Sequence, residues 1–344
     1  MDALSLANLG WHAYFQQQLS LEEWEVAIPV RVIAAHRSQL DATGDLGLIS
    51  IPLATDMPAI TVGDWLLLKQ GRFQRLLDRS SVFTRKAPGR KAQEQLLAAN
   101  VDTAFIVCSL NDDFNLNRIE RYLTLCHDAG AEPVVVLTKQ DLCMDADEKR
   151  QQIQQLDPLL CVETVNGLDP DSAAQLQPWC RAGQTIVLLG SSGAGKSTLT
   201  NTLLNKQEQV TGGIREADDK GRHTTTGRTL LSMAGGALLI DTPGLRELQL
   251  AVDDEAIAAT FSDITKLADH CRFSDCQHNN EPGCAVLKAL ECGDLDERRY
   301  RSFVKLSREQ SRNQASLAER HKADRALGKF YKRTLADGHR LKGR

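Results

Sequence analysis

Residues 190–197 form a glycine-rich segment whose residue types bind phosphate groups. Gly190, Gly195, Lys196 and Ser197 fit the spacing G-x-x-x-x-G-K-[ST], after the apolar segment TIVLL at 185–189. The glycines let backbone N–H groups approach a phosphate closely, the lysine supplies a positive charge, and the serine hydroxyl can bind Mg²⁺. A helix that begins near Lys196 would direct its positive N-terminal end at the anion. The pattern predicts a nucleoside triphosphate site.

A second polar segment, Thr138-Lys139-Gln140-Asp141, follows the apolar run PVVVL at 133–137. Residues at the carboxyl end of a strand contact ligands in parallel-sheet proteins. The carboxylate of Asp141 can accept hydrogen bonds from N1–H and N2–H₂ of guanine together, whereas adenine offers no such pair of donors. Taken alone, four such residues are equally typical of a surface loop.

Two segments after the glycine-rich loop predict a magnesium site. Asp241 ends the apolar run ALLI, lies 45 residues after Lys196 and begins the tetrapeptide DTPG. An acid in this position holds Mg²⁺ through water and responds to the γ-phosphate. The segment GRHTTT at 221–226 supplies threonine hydroxyls for the Mg²⁺ shell; a polar loop without a ligand is the alternative.

The residue after DTPG is Leu245, which cannot orient an attacking water as glutamine does in many GTPases. Slow intrinsic hydrolysis is therefore expected, with a partner completing the site. His223 is the nearest side chain that can position water. The alternative is that His223 contacts phosphate or RNA.

Cys271, Cys276, His278 and Cys284 lie within fourteen residues. Three thiolates and one imidazole complete a tetrahedral Zn²⁺ shell, and a site with no open position is structural. Reduced core cysteines beside a surface histidine are the alternative. The polar loop offers little else to fold around, so zinc is the preferred interpretation.

Charge is distributed unevenly along the 344 residues. The net charge is −4, yet 298–344 contain 15 Lys and Arg against four Asp and Glu, and 69–91 contain eight basic residues and one acid. Segregated basic surface predicts a polyanionic partner such as RNA. A solvated surface without a ligand is the alternative in both segments.

The N-terminal residues lack the pattern of a secretory signal, and no apolar run reaches the length of a membrane span. We therefore expect a cytoplasmic protein with no membrane partner.

The order of the segments predicts a multidomain α/β protein. Short strand-like runs over 25–85 indicate a small β-barrel, of either the oligonucleotide-binding or the SH3-like type. Alternating strands and helices over 86–250 indicate a mostly parallel sheet, and 251–344 would form a helical zinc-binding domain with a basic tail. Residues 1–24 form an N-terminal extension with a short helix.

The base-reading segment precedes the phosphate-binding loop, whereas the usual GTPase has the reverse order. TKQD before GSSGAGKST, then GRHTTT, DTPG and C-x4-C-x-H-x5-C, resembles the circularly permuted GTPases of the ribosome small-subunit-dependent GTPase A family, also called RsgA or YjeQ. The resemblance implies an N-terminal oligonucleotide-binding barrel, a permuted GTPase and a C-terminal zinc domain. It also implies a GTPase that acts in late maturation of the small (30S-type) ribosomal subunit and contacts rRNA, and we expect a monomer.

The same resemblance implies the residues that contact GTP or GDP. They are the four residues of TKQD, nine of the glycine-rich loop and two of DTPG: Thr138, Lys139, Gln140, Asp141, Gly190, Ser191, Ser192, Gly193, Ala194, Gly195, Lys196, Ser197, Thr198, Asp241 and Gly244. Mg²⁺ would be held by Ser197, Thr225 and, through water, Asp241.

The chain departs from the family pattern at two points. Thr138 stands where asparagine is commoner, and VETVNG at 162–167 does not contain a clear base-contact loop. Two other functions stay open from the residues: an RNA-binding module with a vestigial GTPase, and a nucleotide-dependent kinase.

Overall fold

The computed structural model describes residues 5–86, 94–111, 113–204, 228–233, 235–241 and 253–314. His223, Thr225, Gly244, Leu245 and the chain beyond residue 314 lie outside the described residues. The described chain forms two compact units, one of residues 5–85 and 94–241 and the other of residues 86 and 253–314. The predicted domain boundaries after residues 24, 85 and 250 stay predictions.

The first unit contains the strands. They are β1 Ala27–Ala35, β2 Gln39–Gly44, β3 Gly47–Pro52, β4 Trp65–Lys69, β5 Arg72–Leu76, β6 Val82–Lys86, β7 Glu94–Ala99, β8 Thr103–Ser109, β9 Glu132–Thr138, β10 Cys161–Val165, β11 Thr185–Leu189, β12 Thr229–Ser232 and β13 Leu238–Asp241.

The helices occur in both units. They are α1 Ala13–Gln16, α2 Leu21–Val26, α3 Leu116–Ala129, α4 Ala146–Gln154, α5 Pro170–Ala173, α6 Lys196–Leu203, α7 Asp254–Thr260, α8 Ser262–Ala268, α9 Ala285–Cys292 and α10 Glu297–Gln314, with 3-10 helices at Gln140–Leu142 and Ala174–Trp179.

Strands β1 to β5 form an antiparallel sheet in the order β3-β2-β1-β4-β5. A fourth strand that returns to lie beside the first is a Greek key. This order supports the oligonucleotide-binding alternative, which is a five-stranded Greek-key barrel. Residues such as Val32, Leu40 and Leu66 form its core. Along β2, buried residues alternate with partly exposed ones.

The N-terminal residues are part of this barrel rather than a separate arm. Leu9 and Phe15 are buried in a cluster with Trp65. Ser20 and Glu23 form a capping box at the start of α2, and Glu23 also accepts a hydrogen bond from Arg75 of β5 at 2.7 Å. The predicted short helix corresponds to α1, and α2 is a second helix that the sequence analysis did not predict.

The predicted parallel sheet is confirmed, with the order β10-β9-β8-β11-β13-β12. All neighbours are parallel except β12, which is antiparallel to β13. Ala34 of β1 pairs with Thr229 of β12, so the barrel strands continue the same sheet. Because parallel strands end at one edge, the loops after β8, β9, β10 and β11 and the last residue of β13 lie along that edge.

Helix α3 has one buried face, formed by Ile119, Leu123 and Cys126. Asn115 caps its N-terminus by accepting from the Arg118 N–H, and Gly130 ends it in the left-handed conformation at φ 74°. These two signals therefore set the ends of the helix.

Arg31 ties three parts of the first unit together. Its buried guanidinium donates hydrogen bonds to the carbonyl oxygens of Leu9 at 2.5 Å, Gly63 at 3.2 Å and Asn100 at 2.9 Å. Burial lowers the pKa of Arg31 to about 10, although the carboxylates of Asp102 and Asp64 oppose that shift. The side chain thus joins the N-terminal residues, the barrel and the segment that enters β8.

Replacing Arg31 with methionine should lower the free energy of unfolding by about 3 kcal/mol, because three buried carbonyl groups lose their donor. Urea denaturation of the purified protein measures the change. Arg37→Met, at an exposed position of the same barrel, is the matched control and should have little effect. Equal stability of the two variants would contradict the role assigned to Arg31.

Candidate nucleotide site and metal centre

The glycine-rich loop begins where β11 ends, and two of its glycines are required by the backbone. Gly190 has φ 145°, and a Cβ there would lie 2.2 Å from the carbonyl oxygen of Val107 in β8. Gly195 has φ 93° and directly precedes α6. Any other residue would be strained at both points.

Lys196 lies across this loop and is largely buried. Its ammonium group donates to the carbonyl oxygen of Gly190 at 2.7 Å and to that of Ser191. The loop therefore concentrates one positive charge and the N-terminus of α6 at the same point, which is the arrangement that attracts a phosphate group. Ser197 and Thr198 lie in the first turn of α6.

The base-reading segment contacts the glycine-rich loop directly. The hydroxyl of Thr138, buried at the end of β9, donates to the carbonyl oxygen of Ala194 at 2.6 Å. Lys139 adopts the left-handed conformation at φ 62° and donates from Nζ to the carbonyl oxygen of Gly193 at 3.1 Å. Gln140 and Asp141 follow in an exposed 3-10 turn. The structure thus brings the two predicted segments together.

Residues 166–167 also lie at this edge of the sheet, which the segment VETVNG did not clearly predict. Val165, the last residue of β10, pairs with Thr138. Gly167 accepts a hydrogen bond from the hydroxyl of Thr202 in α6 at 2.6 Å. The signal that was available is the Asn-Gly pair after an apolar strand, which indicates a turn at the ligand-binding edge.

Asp113 is a second residue that sequence reasoning missed. It accepts hydrogen bonds from the hydroxyl of Ser191 at 2.5 Å and from Nη1 of Arg118 at 2.5 Å. Partial burial opposes ionisation, but the hydrogen bonds from Ser191 and Arg118 outweigh it and lower the pKa of Asp113. An acid in the loop after a buried strand was the available signal.

Only part of the predicted magnesium set lies within the described residues. Asp241 is exposed at the end of β13, one residue beyond the Ile240 to Val187 pairing with β11. It therefore shares the sheet edge with Ser197. The predicted ligand Thr225, the proposed water-positioning residue His223 and Gly244 lie outside the described residues.

The second unit brings the four predicted metal ligands together. The sulfur and ring nitrogen atoms of Cys271, Cys276, His278 and Cys284 all lie within 4.8 Å of one another. Burial opposes ionisation of the Cys271 thiol, but backbone hydrogen bonds from Ala285 and Val286 lower its pKa. Burial also lowers the pKa of His278, which favours the neutral ring that binds metals. The cluster can hold one metal ion.

Aromatic residues of α10 stabilise this unit. The hydroxyl of Tyr300 donates to the carbonyl oxygen of His278 at 2.6 Å. Phe303 packs edge-on against Phe261 at 5.6 Å between ring centres. Both residues therefore have a packing role within this unit.

Among the described residues, no helix has both the length and the apolar character needed to cross a bilayer.

Family comparisons extend over nearly the whole chain. The sequence model of the RsgA GTPase family matches residues 76–251, which is more than half of the chain. The model of ABC transporters matches residues 175–341 and overlaps it at the glycine-rich loop, a motif that many nucleotide-binding families share.

Two curated relatives are similar over most of their length. The small ribosomal subunit biogenesis GTPase RsgA 2 of Vibrio parahaemolyticus is 54% identical, with 96% of this chain and 93% of that protein covered. The corresponding GTPase RsgA of Mesorhizobium japonicum is 46% identical, with 90% and 91% covered.

Two solved structures share the fold. YjeQ from Thermotoga maritima matches with a TM-score of 0.62 and 24% identity over 83% of this chain and 99% of that one. YloQ, described as a circularly permuted GTPase, matches with a TM-score of 0.61 and 24% identity over 84% and 96%. With the order of TKQD before the glycine-rich loop and the identity to curated relatives, the chain belongs to the RsgA GTPase family of GTP hydrolases.

Proposed function

We propose that this GTPase binds the small (30S-type) ribosomal subunit, assists its late maturation, and is released when GTP is hydrolysed to GDP. The contact between Thr138 and Ala194 carries the nucleotide part of the proposal, because it joins a guanine-reading segment to a phosphate-binding loop. The names of the relatives, small ribosomal subunit biogenesis GTPases, support the ribosomal part. The protein would act in the cytoplasm as a monomer.

Guanine selection would depend on Asp141. Binding of the phosphates would depend on the loop from Gly190 to Thr198. The Thr138 hydroxyl, already bonded to Ala194, would hold the two loops in register where the commoner asparagine uses its amide. The short turn at 166–167 would lie beside the base, since β10 is the neighbour of β9.

Ser197, Thr225 and Asp241 are the proposed Mg²⁺ residues, and His223 is proposed to position the attacking water. When bound, Mg²⁺ neutralises charge that develops on the phosphates. Leu245 offers no polar atom to orient water, so slow intrinsic turnover and stimulation by the ribosomal subunit are expected. Asp241 supports the proposal by its place at the ligand edge of β13.

Zinc is the proposed metal of the second unit, and the observed geometry fits it. Zn–S bonds of about 2.3 Å at tetrahedral angles separate two sulfurs by about 3.8 Å. The sulfurs of Cys271 and Cys284 are 3.8 Å apart, and Nδ1 of His278 lies 3.6 Å and 3.4 Å from them. Four protein ligands leave no open position, which supports a structural role.

The solvent face of α10 is the proposed rRNA contact of the second unit. Basic residues recur there with a spacing of four, three and four residues: Arg301, Lys305, Arg308 and Arg312, all exposed. Such a stripe follows one face of a helix and suits a row of phosphates. The basic residues within 69–85 are a second proposed rRNA contact, in the first unit.

Hydrolysis of GTP by the purified protein tests the proposal, measured alone and with isolated small subunits, large subunits or assembled ribosomes. Strong stimulation confined to GTP and small subunits is expected. ATP is the control nucleotide, and equal use of ATP with a small-molecule acceptor would favour a kinase. GTP hydrolysis that no ribosomal particle stimulates, together with RNA binding that does not depend on nucleotide, would favour an RNA-binding module with a vestigial GTPase.

Asp141→Asn should weaken GTP binding and favour xanthosine triphosphate, because the new amide donates to the 2-carbonyl of xanthine. Competition of the two nucleotides against a fluorescent guanine nucleotide measures the preference. A loss of about 10³-fold or more for GTP is expected. Asp147→Asn, an exposed acid in α4, is the matched control; if Asp141→Asn also kept its guanine preference, the base site would lie elsewhere.

Cys271→Ser should remove the bound zinc and loosen the second unit while GDP affinity of the first unit changes little, because the ligands of the two sites lie in separate units. Metal analysis, thermal unfolding and GDP titration measure these effects. Cys292→Ser, an exposed cysteine outside the cluster, should retain the metal. Simultaneous loss of GDP binding in Cys271→Ser would contradict the independence of the two sites.

A further inference from the structure

The loop between β8 and α3 places a carboxylate against the phosphate-binding loop. Asp113 Oδ2 accepts from the hydroxyl of Ser191, and Oδ1 accepts from Arg118, both at 2.5 Å. The Asp113 side chain retains 31% of its exposure, so water reaches the pair. Asp113 lies outside the predicted motif, and its side chain bonds to the side chain of Ser191, the first residue after Gly190.

Asp113 is itself held by rigid neighbours. Its N–H donates to Oδ1 of Asn111 at 3.1 Å, and the same oxygen accepts from the hydroxyl of Ser109, the last residue of β8, at 2.6 Å. Arg118 lies in the first turn of α3, whose N-terminus is capped by Asn115. The carboxylate thus links the phosphate-binding loop to β8 and α3.

Ser191 is held at two points. Its hydroxyl donates to Asp113, and its carbonyl oxygen accepts from the ammonium group of Lys196. A bound nucleotide draws the lysine to its β- and γ-phosphates, so the carbonyl of Ser191 then loses this donor. The bond to Asp113 does not depend on the lysine and can keep the loop in shape during that exchange.

A carboxylate beside a phosphate site repels the ligand unless its charge is balanced. Arg118 supplies that balance through the ion pair with Asp113. The arrangement therefore gains an acceptor for Ser191 without adding net negative charge to the loop.

We propose that Asp113, paired with Arg118, is a positioning residue that holds the phosphate-binding loop ready for nucleotide through the hydroxyl of Ser191. The inference rests on the proposed function at this site. A preformed loop costs less ordering free energy on binding, and the effect is the same for GDP and GTP. Loss of Asp113 should therefore raise KM with kcat nearly unchanged, the signature of uniform binding.

A double-mutant cycle tests the inference with Asp113→Ala, Ser191→Ala and the double variant of the full chain. A fluorescent GDP analogue measures affinity, and steady-state GTP hydrolysis measures kcat and KM. Each single variant should bind about five- to tenfold more weakly, and the double variant should be no weaker than the weaker single variant. Asp113→Asn keeps an acceptor for Ser191 and should recover most of the affinity.

Glu132→Ala is the matched control, because this exposed acid lies at the opposite end of β9 and should not change affinity. Additive effects of the two substitutions would overturn the inference, as would lower thermal stability of Asp113→Ala with unchanged affinity. A fall in kcat with unchanged KM would overturn it in favour of a direct role in the reaction. Failure of the unmodified protein to bind GDP would instead contradict the proposed function itself.

Discussion

The hydrogen bond from Thr138 to the carbonyl oxygen of Ala194 joins two loops that lie 56 residues apart in the chain. It can form only if β9, β8 and β11 are neighbours in one register. Thr138 pairs with Ser109 of β8, and β8 pairs in turn with β11. β8 is buried along its whole length and β9 is buried from Val134 onward, so a slip of one residue would move their side chains to the opposite face of the sheet and disrupt the packing on both faces. Packing of the sheet thereby sets the geometry of the nucleotide site.

Circular permutation changes the order in which the strands follow one another along the chain, but not which loops lie together at the edge of the sheet. The chain enters the sheet through the barrel, and β1 is bonded both to barrel strands and to β12. Arg31 reinforces the junction with three hydrogen bonds to carbonyl groups of separate segments. A buried cation with three acceptors is costly to disturb, so the barrel and the GTPase strands act as one unit.

The second unit is stabilised in a different way. Its polar loop from Cys271 to Cys284 has few apolar residues, and its four ligand atoms converge in place of a larger core. A metal ion bound by these four ligands would contribute directly to the folding free energy of the unit. Tyr300 links the cluster to α10 through its bond to His278, so the ligand loop and the helix with the basic stripe are stabilised together.

The sequence by itself determined where the glycine-rich loop, TKQD, the four candidate metal ligands and the apolar strands β9 and β11 lie in the chain, because each depends on residue types at short, regular spacing. The strand order β3-β2-β1-β4-β5 supports the oligonucleotide-binding alternative over the SH3-like one, and the pattern of short strands in the sequence does not show that order. Only the tertiary structure decided that Thr138 meets Ala194, that Asp113 meets Ser191 and that Gly167 lies against α6. Those contacts join residues far apart in the chain, and they depend on which strands become neighbours when the core packs.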